Sequence, residues 1–326
     1  MKILVLHTGG TIASEENGNV INPSRAPVIE KFLKEHNGTE FDSVKVCNIL
    51  SENADSSFYE LLINTLLSFE LSNYGGVIIM HGTDTLPFTS SLVSMALRHI
   101  EIPVCFIGAN FVISDPRSNA LDNLALAVNY IENGGKGFVV PYRNPDGKNL
   151  IHLATRICQA DFASAAFSSI NNTNFAEVDG NGYISFNRKS GISYDDISVP
   201  KERIVGDKIE LKNKVLLIGA YPDIDYSVFD IEKTKPAAVI HACYHSGTAD
   251  GNKLPKFIER CKRCGTDFYL CPVKRDEAFY GSTKNIIDSG AKPLYNMTVE
   301  SALARIKLCK NLDGLNDNDN LYYEEF

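Results

Sequence analysis

The sequence has no tryptophan, no long hydrophobic run and only a small excess of charge. Because no stretch reaches the roughly 18 consecutive apolar residues that a membrane-spanning helix needs, we expect no membrane segment. The apolar run at the N-terminus, which ends at Leu6, is too short for a signal peptide and favours a cytoplasmic protein. A net charge of −8 argues against nucleic-acid binding, since phosphate contacts need clustered Lys and Arg.

Motifs for metals and nucleotides are incomplete or missing. Cys261 and Cys264 form a single C-x-x-C, whereas a zinc site would need a further ligand at regular spacing. The eight cysteines are scattered through apolar segments of a long chain, which indicates reduced, mostly buried thiols. The glycines at Gly9 and Gly10 fit neither G-x-G-x-x-G nor G-K-[ST], so nucleotide binding is disfavoured.

Short apolar runs alternate with amphipathic stretches along all 326 residues, and the length favours about two domains. This alternation predicts parallel sheets covered by helices on both faces. We therefore expect a two-domain α/β fold with a larger N-terminal parallel-sheet domain over 1–188, a linker over 189–212 and a smaller α/β domain over 213–326. The acidic stretch from Asp313 to Phe326 is expected to be loosely held.

Hydrophobic runs and capping signals predict individual elements. Strands of the first domain are predicted at Lys2–Leu6, Val77–Met80, Val104–Ile107 and Phe138–Val140. Its helices are predicted from Ser57 to about Leu71, from Thr89 to His99 and from Arg117 to Asn133. A hairpin is predicted around Asp179-Gly180-Asn181-Gly182. The second domain is predicted to have strands at Val215–Gly219, Val239–Ala242 and Phe268–Cys271, and helices at Lys253–Cys264, Thr283–Ser289 and Val299–Lys310.

Polar loops follow three of the apolar segments, and ligands of open parallel sheets bind beyond the carboxyl ends of the strands. The first loop runs from Thr8 to Ser14 and combines two glycines with hydroxyls on either side. The second, His81–Thr85, brings a hydroxyl, a carboxylate and backbone N–H groups together. Asp84 or Thr85 would alternatively cap the next helix. The third, Ser51-Glu52-Asn53, follows the apolar Val46–Leu50 segment and is expected on the same rim.

Loops of this kind suit a small zwitterion that carries a side-chain amide. A carboxylate such as Asp84 or Glu52 would hold its ammonium group, while hydroxyls and N–H groups would hold its carboxylate. A threonine hydroxyl would attack the amide, and N–H donors would stabilise the oxyanion.

At these residues the chain resembles the L-asparaginases of bacterial type, and more closely their cytoplasmic type I branch. The segments TGGTIAS (Thr8–Ser14) and HGTDT (His81–Thr85), about 70 residues apart, match the two signatures of that family. The similarity extends over nearly the whole chain, through VCFIGAN (Val104–Asn110), RSNALDNLA (Arg117–Ala125), an F-x-S-x-N stretch from Phe167 and MTVE from Met297.

The resemblance implies a role for each matching residue. Thr11 would be the nucleophile that forms an acyl-enzyme, and Thr83 would help to activate the nucleophile or water. Asp84 would bind the ammonium group of the substrate and Ser51 its carboxylate. Further groups at the substrate would be Glu52 and the backbone of Gly10, Gly82 and Ala109.

The same resemblance implies no metal ion and no organic cofactor. It implies a small-molecule amide as the substrate and a homodimer or homotetramer as the working form. In that assembly the second domain of one subunit, through Tyr244–Thr248, would close the site of another.

Three positions depart from the family pattern. The family has a lysine nine residues before the Phe of F-x-S-x-N, and counting back from Phe167 gives Cys158. Arg156 is close, but a guanidinium stays protonated and is no substitute for an amine that accepts a proton. Asn19 stands at the position of a lid tyrosine, and Thr248 stands where type I members commonly have Asn.

These departures leave alternatives to the hydrolysis of L-asparagine to L-aspartate and ammonia. One is hydrolysis of a modified or peptidic amide, and another is a weakened homologue that binds an amino acid, since loss of a general base typically costs ~100- to 10,000-fold in rate. A related component of the tRNA-dependent amidotransferase usually has an extra N-terminal domain, and a first strand at Lys2 disfavours it. Cys158 is expected to fill space rather than to act as a catalytic thiol, unless Arg156 makes its surroundings electropositive. Whether another lysine, such as Lys148, reaches the site is left open.

Overall fold

The computed structural model describes residues 1–13, 27–36 and 38–326. The chain forms two compact units, which we call unit 1 (Met1–Ile209) and unit 2 (Glu210–Phe326). Unit 1 contains a sheet of eight strands and unit 2 a sheet of four. The predicted two-domain α/β fold, with the larger sheet in the first domain, is therefore confirmed.

The sheet of unit 1 has the strand order β2-β1-β3-β4-β5-β6-β7-β8. Its strands are β1 (Lys2–Gly9), β2 (Glu40–Ile49), β3 (Gly76–Met80), β4 (Val104–Ile107), β5 (Phe138–Arg143), β6 (Asn149–Leu153), β7 (Ala176–Val178) and β8 (Ile184–Phe186). The helices are α1 (Pro27–Glu35), α2 (Ser56–Leu67), α3 (Leu86–Ala96), α4 (Ala120–Glu132) and α5 (Tyr194–Ser198).

Strands β1 to β5 run parallel, and the four predicted apolar runs lie within β1, β3, β4 and β5. Every residue of β3 and β4 is buried, as expected for parallel strands with helices on both faces. The rest of the sheet is antiparallel, because β6, β7 and β8 pair as a meander. The predicted hairpin is β7–β8, with its turn closed by a bond from the Gly182 N–H to the Asp179 carbonyl.

The predicted helix boundaries in unit 1 were wrong by several residues. Asp55, rather than Ser57, caps α2, because its carboxylate accepts the Phe58 N–H at 3.0 Å, and the helix ends at Leu67. Helix α3 begins three residues before Thr89, with a proline in its first turn where no intrahelical N–H is needed. Helix α4 begins at Ala120 and ends at Glu132, inside the predicted range.

Unit 2 is a fully parallel sheet with the strand order β12-β11-β10-β9. Its strands are β9 (Val215–Gly219), β10 (Ala238–Ala242), β11 (Asp267–Val273) and β12 (Lys292–Tyr295). Its helices are α6 (Ile231–Thr234), α7 (Leu254–Arg263), α8 (Gly281–Asp288) and α9 (Val299–Cys309). One core cluster includes residues of α6, α7 and α8, and a second includes residues of α9, so apolar residues pack on both sides of the sheet.

The expectation of a loosely held segment from Asp313 to Phe326 was wrong. Leu321 and Glu324 are fully buried in unit 2. The Glu324 carboxylate accepts the N–H groups of Leu321 and Tyr322 at 2.7 and 2.6 Å and lies 3.4 Å from the buried Arg305 guanidinium on α9. The buried Arg305 on α9 therefore holds this segment in place, whereas the acidic composition of the segment had suggested that it is loose.

Two residues of the stretch 189–212, which we predicted as a linker, are hydrogen-bonded to other parts of unit 1. Lys201 donates its N–H to the Arg98 carbonyl, and Asn64 exchanges two hydrogen bonds with the backbone of Ile209. Over residues 1–13, 27–36 and 38–326, each helix is too short or too polar to cross a membrane.

Candidate active site

Three polar loops meet at the carboxyl ends of β2, β1 and β3, because these strands are parallel neighbours. We call this rim of the unit 1 sheet the sheet edge. Gly10 has a φ of +82°, and a Cβ atom at this position would lie 2.5 Å from the backbone nitrogen of Gly82. A Cβ atom at Gly82 would lie 2.5 Å from the hydroxyl oxygen of Ser51. Both distances are far below an ordinary van der Waals contact, which starts near 3.4 Å. Glycine is therefore what allows these loops to touch.

Hydrogen bonds join the same loops. The Thr8 hydroxyl donates to the Met80 carbonyl at 2.8 Å, and the Thr85 hydroxyl donates to the Ser51 carbonyl at 2.8 Å. Thr85 is the residue before α3, but its hydroxyl serves Ser51 and makes no capping bond to the described part of that helix. Asp84 lies in the short 3₁₀ turn Thr83–Thr85 and is exposed. Thr85 therefore occupies the N-cap position of α3 without the side-chain bond of a cap, and Asp84 lies one residue before it.

A fourth loop, which follows β4, lies against Thr83. A Cβ atom at Gly108 would be 3.1 Å from the Thr83 methyl carbon, and the neighbouring Ala109 is 1% exposed. Asn123 of α4 holds this loop by donating its amide to the Gly108 carbonyl at 2.9 Å. The structure thus brings Gly10, Ser51, Gly82, Thr83 and Ala109 to one edge of the sheet.

The predicted site residues differ in exposure in a way that bears on their chemistry. Thr11 and Thr83 are half-buried, and Ser51 is only 5% exposed. Asp84 and Glu52 are exposed. Hydroxyls therefore lie close to the sheet edge while carboxylates project from it, an arrangement that can attract a cationic group to a hydroxyl-lined rim.

Cys158 lies in a segment that pairs with the F-x-S-x-N stretch. Its N–H donates to the Ser168 carbonyl and the Ile170 N–H donates to the Arg156 carbonyl, both at 2.8 Å. The Arg156 guanidinium is 3% exposed and donates to the Ser190 carbonyl at 2.6 Å. The segment is tied to α3 because the Ser90 hydroxyl donates to the Ala154 carbonyl at 2.8 Å. Cys158 itself is half-buried.

The other positions singled out from the sequence lie elsewhere. Lys148 is exposed in the β5–β6 turn, 3.4 Å from the Asp146 carboxylate. The Tyr244–Thr248 loop follows β10 of unit 2 and is closed by bonds between Tyr244, Gly247 and Thr248. Asn19 lies outside the described residues.

His81 is a residue whose role the motif did not predict. Its ring is 1% exposed, and burial lowers its pKa to about 4. Nδ1 lies 2.7 Å from the Gly82 carbonyl oxygen and Nε2 lies 3.0 Å from the Thr89 hydroxyl. The only available signal in the sequence was a histidine placed directly after a fully apolar strand.

Two other kinds of site are relevant here: a metal site and a groove. In the described ranges, no group of three His, Cys, Asp or Glu side chains is placed to hold a metal ion. A groove of about 700 Å³ lies elsewhere in unit 1, between α1, α4 and the β7–β8 turn. The strand-end loops are the candidate site, because hydroxyls, a carboxylate and close backbone contacts converge there.

The two α/β units, with polar loops at the strand ends of the larger sheet, define the fold class of the protein. Comparison with known proteins identifies its family. The family model described as "Asparaginase, N-terminal" matches residues 2–190, which is more than half of the chain. The chain therefore belongs to the asparaginase family, a family of amidohydrolase-type enzymes.

Curated relatives match along almost the same length. The chain is 25% identical over 322 residues to a glutamyl-tRNA(Gln) amidotransferase subunit of Saccharolobus islandicus, covering 94% of this chain and 70% of the relative. It is 28% identical over 323 residues to the protein of the same name from Pyrococcus abyssi, covering 94% and 71%.

Solved structures share the fold. The L-asparaginase of Thermococcus kodakarensis superimposes with a TM-score of 0.80 at 22% identity, over 100% of this chain and 99% of that one. L-asparaginase I of Vibrio cholerae gives 0.77 at 21% identity, over 100% and 99%. A probable cytoplasmic L-asparaginase of Campylobacter jejuni gives 0.72 at 18% identity, over 94% of each chain.

Proposed function

We propose that the protein hydrolyses a small carboxamide, with L-asparagine as the first substrate to test and L-aspartate and ammonia as products. The observation that carries the proposal is the direct contact of Gly10, Gly82 and Ser51 at one sheet edge. In that contact the loops of Thr11 and Thr83 lie side by side, and each of the two threonines is half-buried. The family model adds that the same segments belong to an amidohydrolase-type family.

In the proposed reaction the Thr11 hydroxyl attacks the amide carbon, a C–O bond forms, and the proton of Thr11 passes to the leaving nitrogen. Ammonia departs when the C–N bond breaks, and water then hydrolyses the threonine ester to the carboxylic acid. Backbone N–H groups at Gly10, Gly82 and Ala109 would stabilise the oxyanion. Thr83 would activate the nucleophile or the water.

Substrate binding in this proposal uses the groups at the rim of the site. The exposed Asp84 and Glu52 would attract the ammonium group, and the buried Ser51 hydroxyl would bind the carboxylate. A buried hydroxyl that hydrogen-bonds a substrate group discriminates strongly against analogues that lack it.

The position of Cys158 sets the expected rate. A half-buried thiol stands where the resemblance predicts a lysine, and the nearby Arg156 guanidinium is directed to the Ser190 carbonyl. Without that amine, another group has to serve the proton path or turnover is slow, because a positioned general base typically contributes ~100- to 10,000-fold. A modified or peptidic amide, or binding of an amino acid without turnover, are the alternatives in the same site.

The assembly and location belong to the proposal as well. We expect a homodimer or homotetramer in which the Tyr244–Thr248 loop of one subunit contributes to the site of another. A cytoplasmic location fits a chain whose eight cysteines are all thiols.

The test is ammonia release from L-asparagine by purified protein, with Thr11→Ala as the matched control and Cys158→Lys as the second variant. Turnover that Thr11→Ala abolishes supports the proposal. Turnover gained only in Cys158→Lys supports a site that is assembled but lacks its amine. Wild-type protein that matches Thr11→Ala on every small amide, with no gain in Cys158→Lys, would refute it.

The curated relatives favour a second candidate function. They are named as subunits of a glutamyl-tRNA(Gln) amidotransferase, so this chain would release ammonia for a partner subunit that amidates an aminoacyl ester. Ammonia release that is coupled to such a partner, and slow without it, favours this candidate. Full activity of the isolated chain favours a free-standing amidohydrolase.

A further inference from the structure

We propose that His81 and Thr89 form a buried hydrogen-bond relay that fixes the peptide between Gly82 and Thr83, which makes His81 a positioning residue for Thr83. This inference rests on the proposed function of the His81–Thr85 loop. It concerns side chains from two places in the fold: His81 directly after β3 and Thr89 on α3.

The direction of the relay follows from the chemistry of its ends. The Gly82 carbonyl can only accept a hydrogen bond, so the Nδ1 atom of His81, 2.7 Å away, must carry the hydrogen. In a neutral imidazole the Nε2 atom is then an acceptor, and the Thr89 hydroxyl donates to it at 3.0 Å. Thr89 thereby spends its only hydroxyl proton on His81.

The surroundings keep the relay neutral and in place. Burial lowers the pKa of His81 to about 4, so the imidazole is uncharged near neutral pH. The Phe58 ring packs on the imidazole with 5.6 Å between ring centroids. Thr89 is fully buried. Water is therefore not available to replace a lost donor in this chain of bonds.

The relay matters because it restrains the backbone directly after a glycine. Gly82 has no side chain, since Ser51 occupies that space, and glycine has the widest choice of backbone angles. In a trans peptide the carbonyl and the next N–H point in opposite directions. A carbonyl held towards His81 therefore directs the Thr83 N–H away from the buried ring, at the start of a helical turn where such groups have no intrahelical partner.

Kinetic comparison of paired variants tests the relay. Thr89→Val removes the donor and keeps the shape, whereas Thr89→Ser keeps a hydroxyl. We expect kcat/KM for ammonia release to fall at least about tenfold in Thr89→Val and to stay within about twofold of wild type in Thr89→Ser, because a small displacement of Thr83 from its working position is costly. His81→Asn, whose amide nitrogen falls near Nδ1, should retain more activity than His81→Gln. Equal activities within either pair would overturn the proposal.

A spectroscopic measurement separates this inference from the proposed function. In protein labelled with ¹⁵N-histidine, the His81 signal is identified by its loss in His81→Asn. We expect shifts of the neutral Nδ1–H tautomer at neutral pH. The Nε2–H tautomer or an imidazolium would overturn the relay. If the wild-type protein releases no ammonia from any amide, the proposed function fails, and the tautomer still decides the relay.

Discussion

The close approach of Gly82 to Ser51 gives a quantitative prediction that does not depend on activity. Gly82 has φ −74° and ψ 145°, which alanine adopts without strain, so only space opposes Gly82→Ala. The added Cβ atom would lie 2.5 Å from the Ser51 hydroxyl and 2.6 Å from its Cβ atom. Overpacking of this kind typically costs about 1–3 kcal/mol, which corresponds to a fall of roughly 4–8 °C in the melting temperature for about 2 kcal/mol in a unit of this size.

A double-mutant cycle isolates the contact. Ser51→Gly removes the clashing side chain and should itself cost about 1 kcal/mol, since glycine is more flexible in the unfolded chain. The double variant should be close to Ser51→Gly alone, giving a coupling energy of about 2 kcal/mol. Gly180→Ala is the matched control, because a Cβ atom there would have no neighbour within 4 Å among the described residues. Additive effects in calorimetric melting would show that the two loops do not touch.

Two further predictions concern buried charge and buried histidine. Glu324→Gln should destabilise unit 2 by about 1–3 kcal/mol, because it removes the fully buried one of the two carboxylates beside the Arg305 guanidinium and weakens the bonds from the Leu321 and Tyr322 N–H groups. Glu325→Gln, at a partly exposed side chain, should cost less, and equal thermal shifts would contradict this. In unit 1, burial lowers the pKa to about 4 for each of His7, His81 and His152. In the unfolded chain these three histidines bind protons below about pH 6.5, whereas in the folded chain they do so only below about pH 4. The free energy of unfolding therefore decreases as the pH falls through that window, by about 4 kcal/mol per pH unit for the three histidines together. In acid unfolding, His152→Asn should flatten this slope by about a third, and an unchanged slope would refute the assignment.

The strand-end loops could be predicted from the sequence because their signals are local. Two glycines after the apolar run of β1, and the HGTDT segment after β3, place polar groups at the carboxyl ends of buried strands. Once the strands are parallel neighbours, the loops have to meet. The hairpin at Asp179–Gly182 was predictable for the same reason, since turn chemistry lies within four residues.

Features that depend on distant partners could not be predicted in this way. Ser57 and Asp55 are both plausible caps in the sequence, and only the geometry shows that the Asp55 carboxylate accepts the Phe58 N–H. The acidic composition after Asp313 suggested exposure, whereas a buried arginine on α9 holds Glu324 inside. The relay at His81 needs Thr89, which comes from α3 and lies outside the HGTDT motif.

The burial of Leu321, Tyr322 and Glu324 has a consequence for how the chain is made. Unit 1 ends at Ile209, so its residues leave the ribosome before those of unit 2 and can fold while unit 2 is still being translated. Arg305, in contrast, is synthesised before Glu324, and the core around α9 lacks Leu321 and Glu324 until that segment has left the exit tunnel. We therefore expect a nascent chain stalled before Leu321 to carry a folded unit 1 and a unit 2 whose buried arginine still lacks its carboxylate partner.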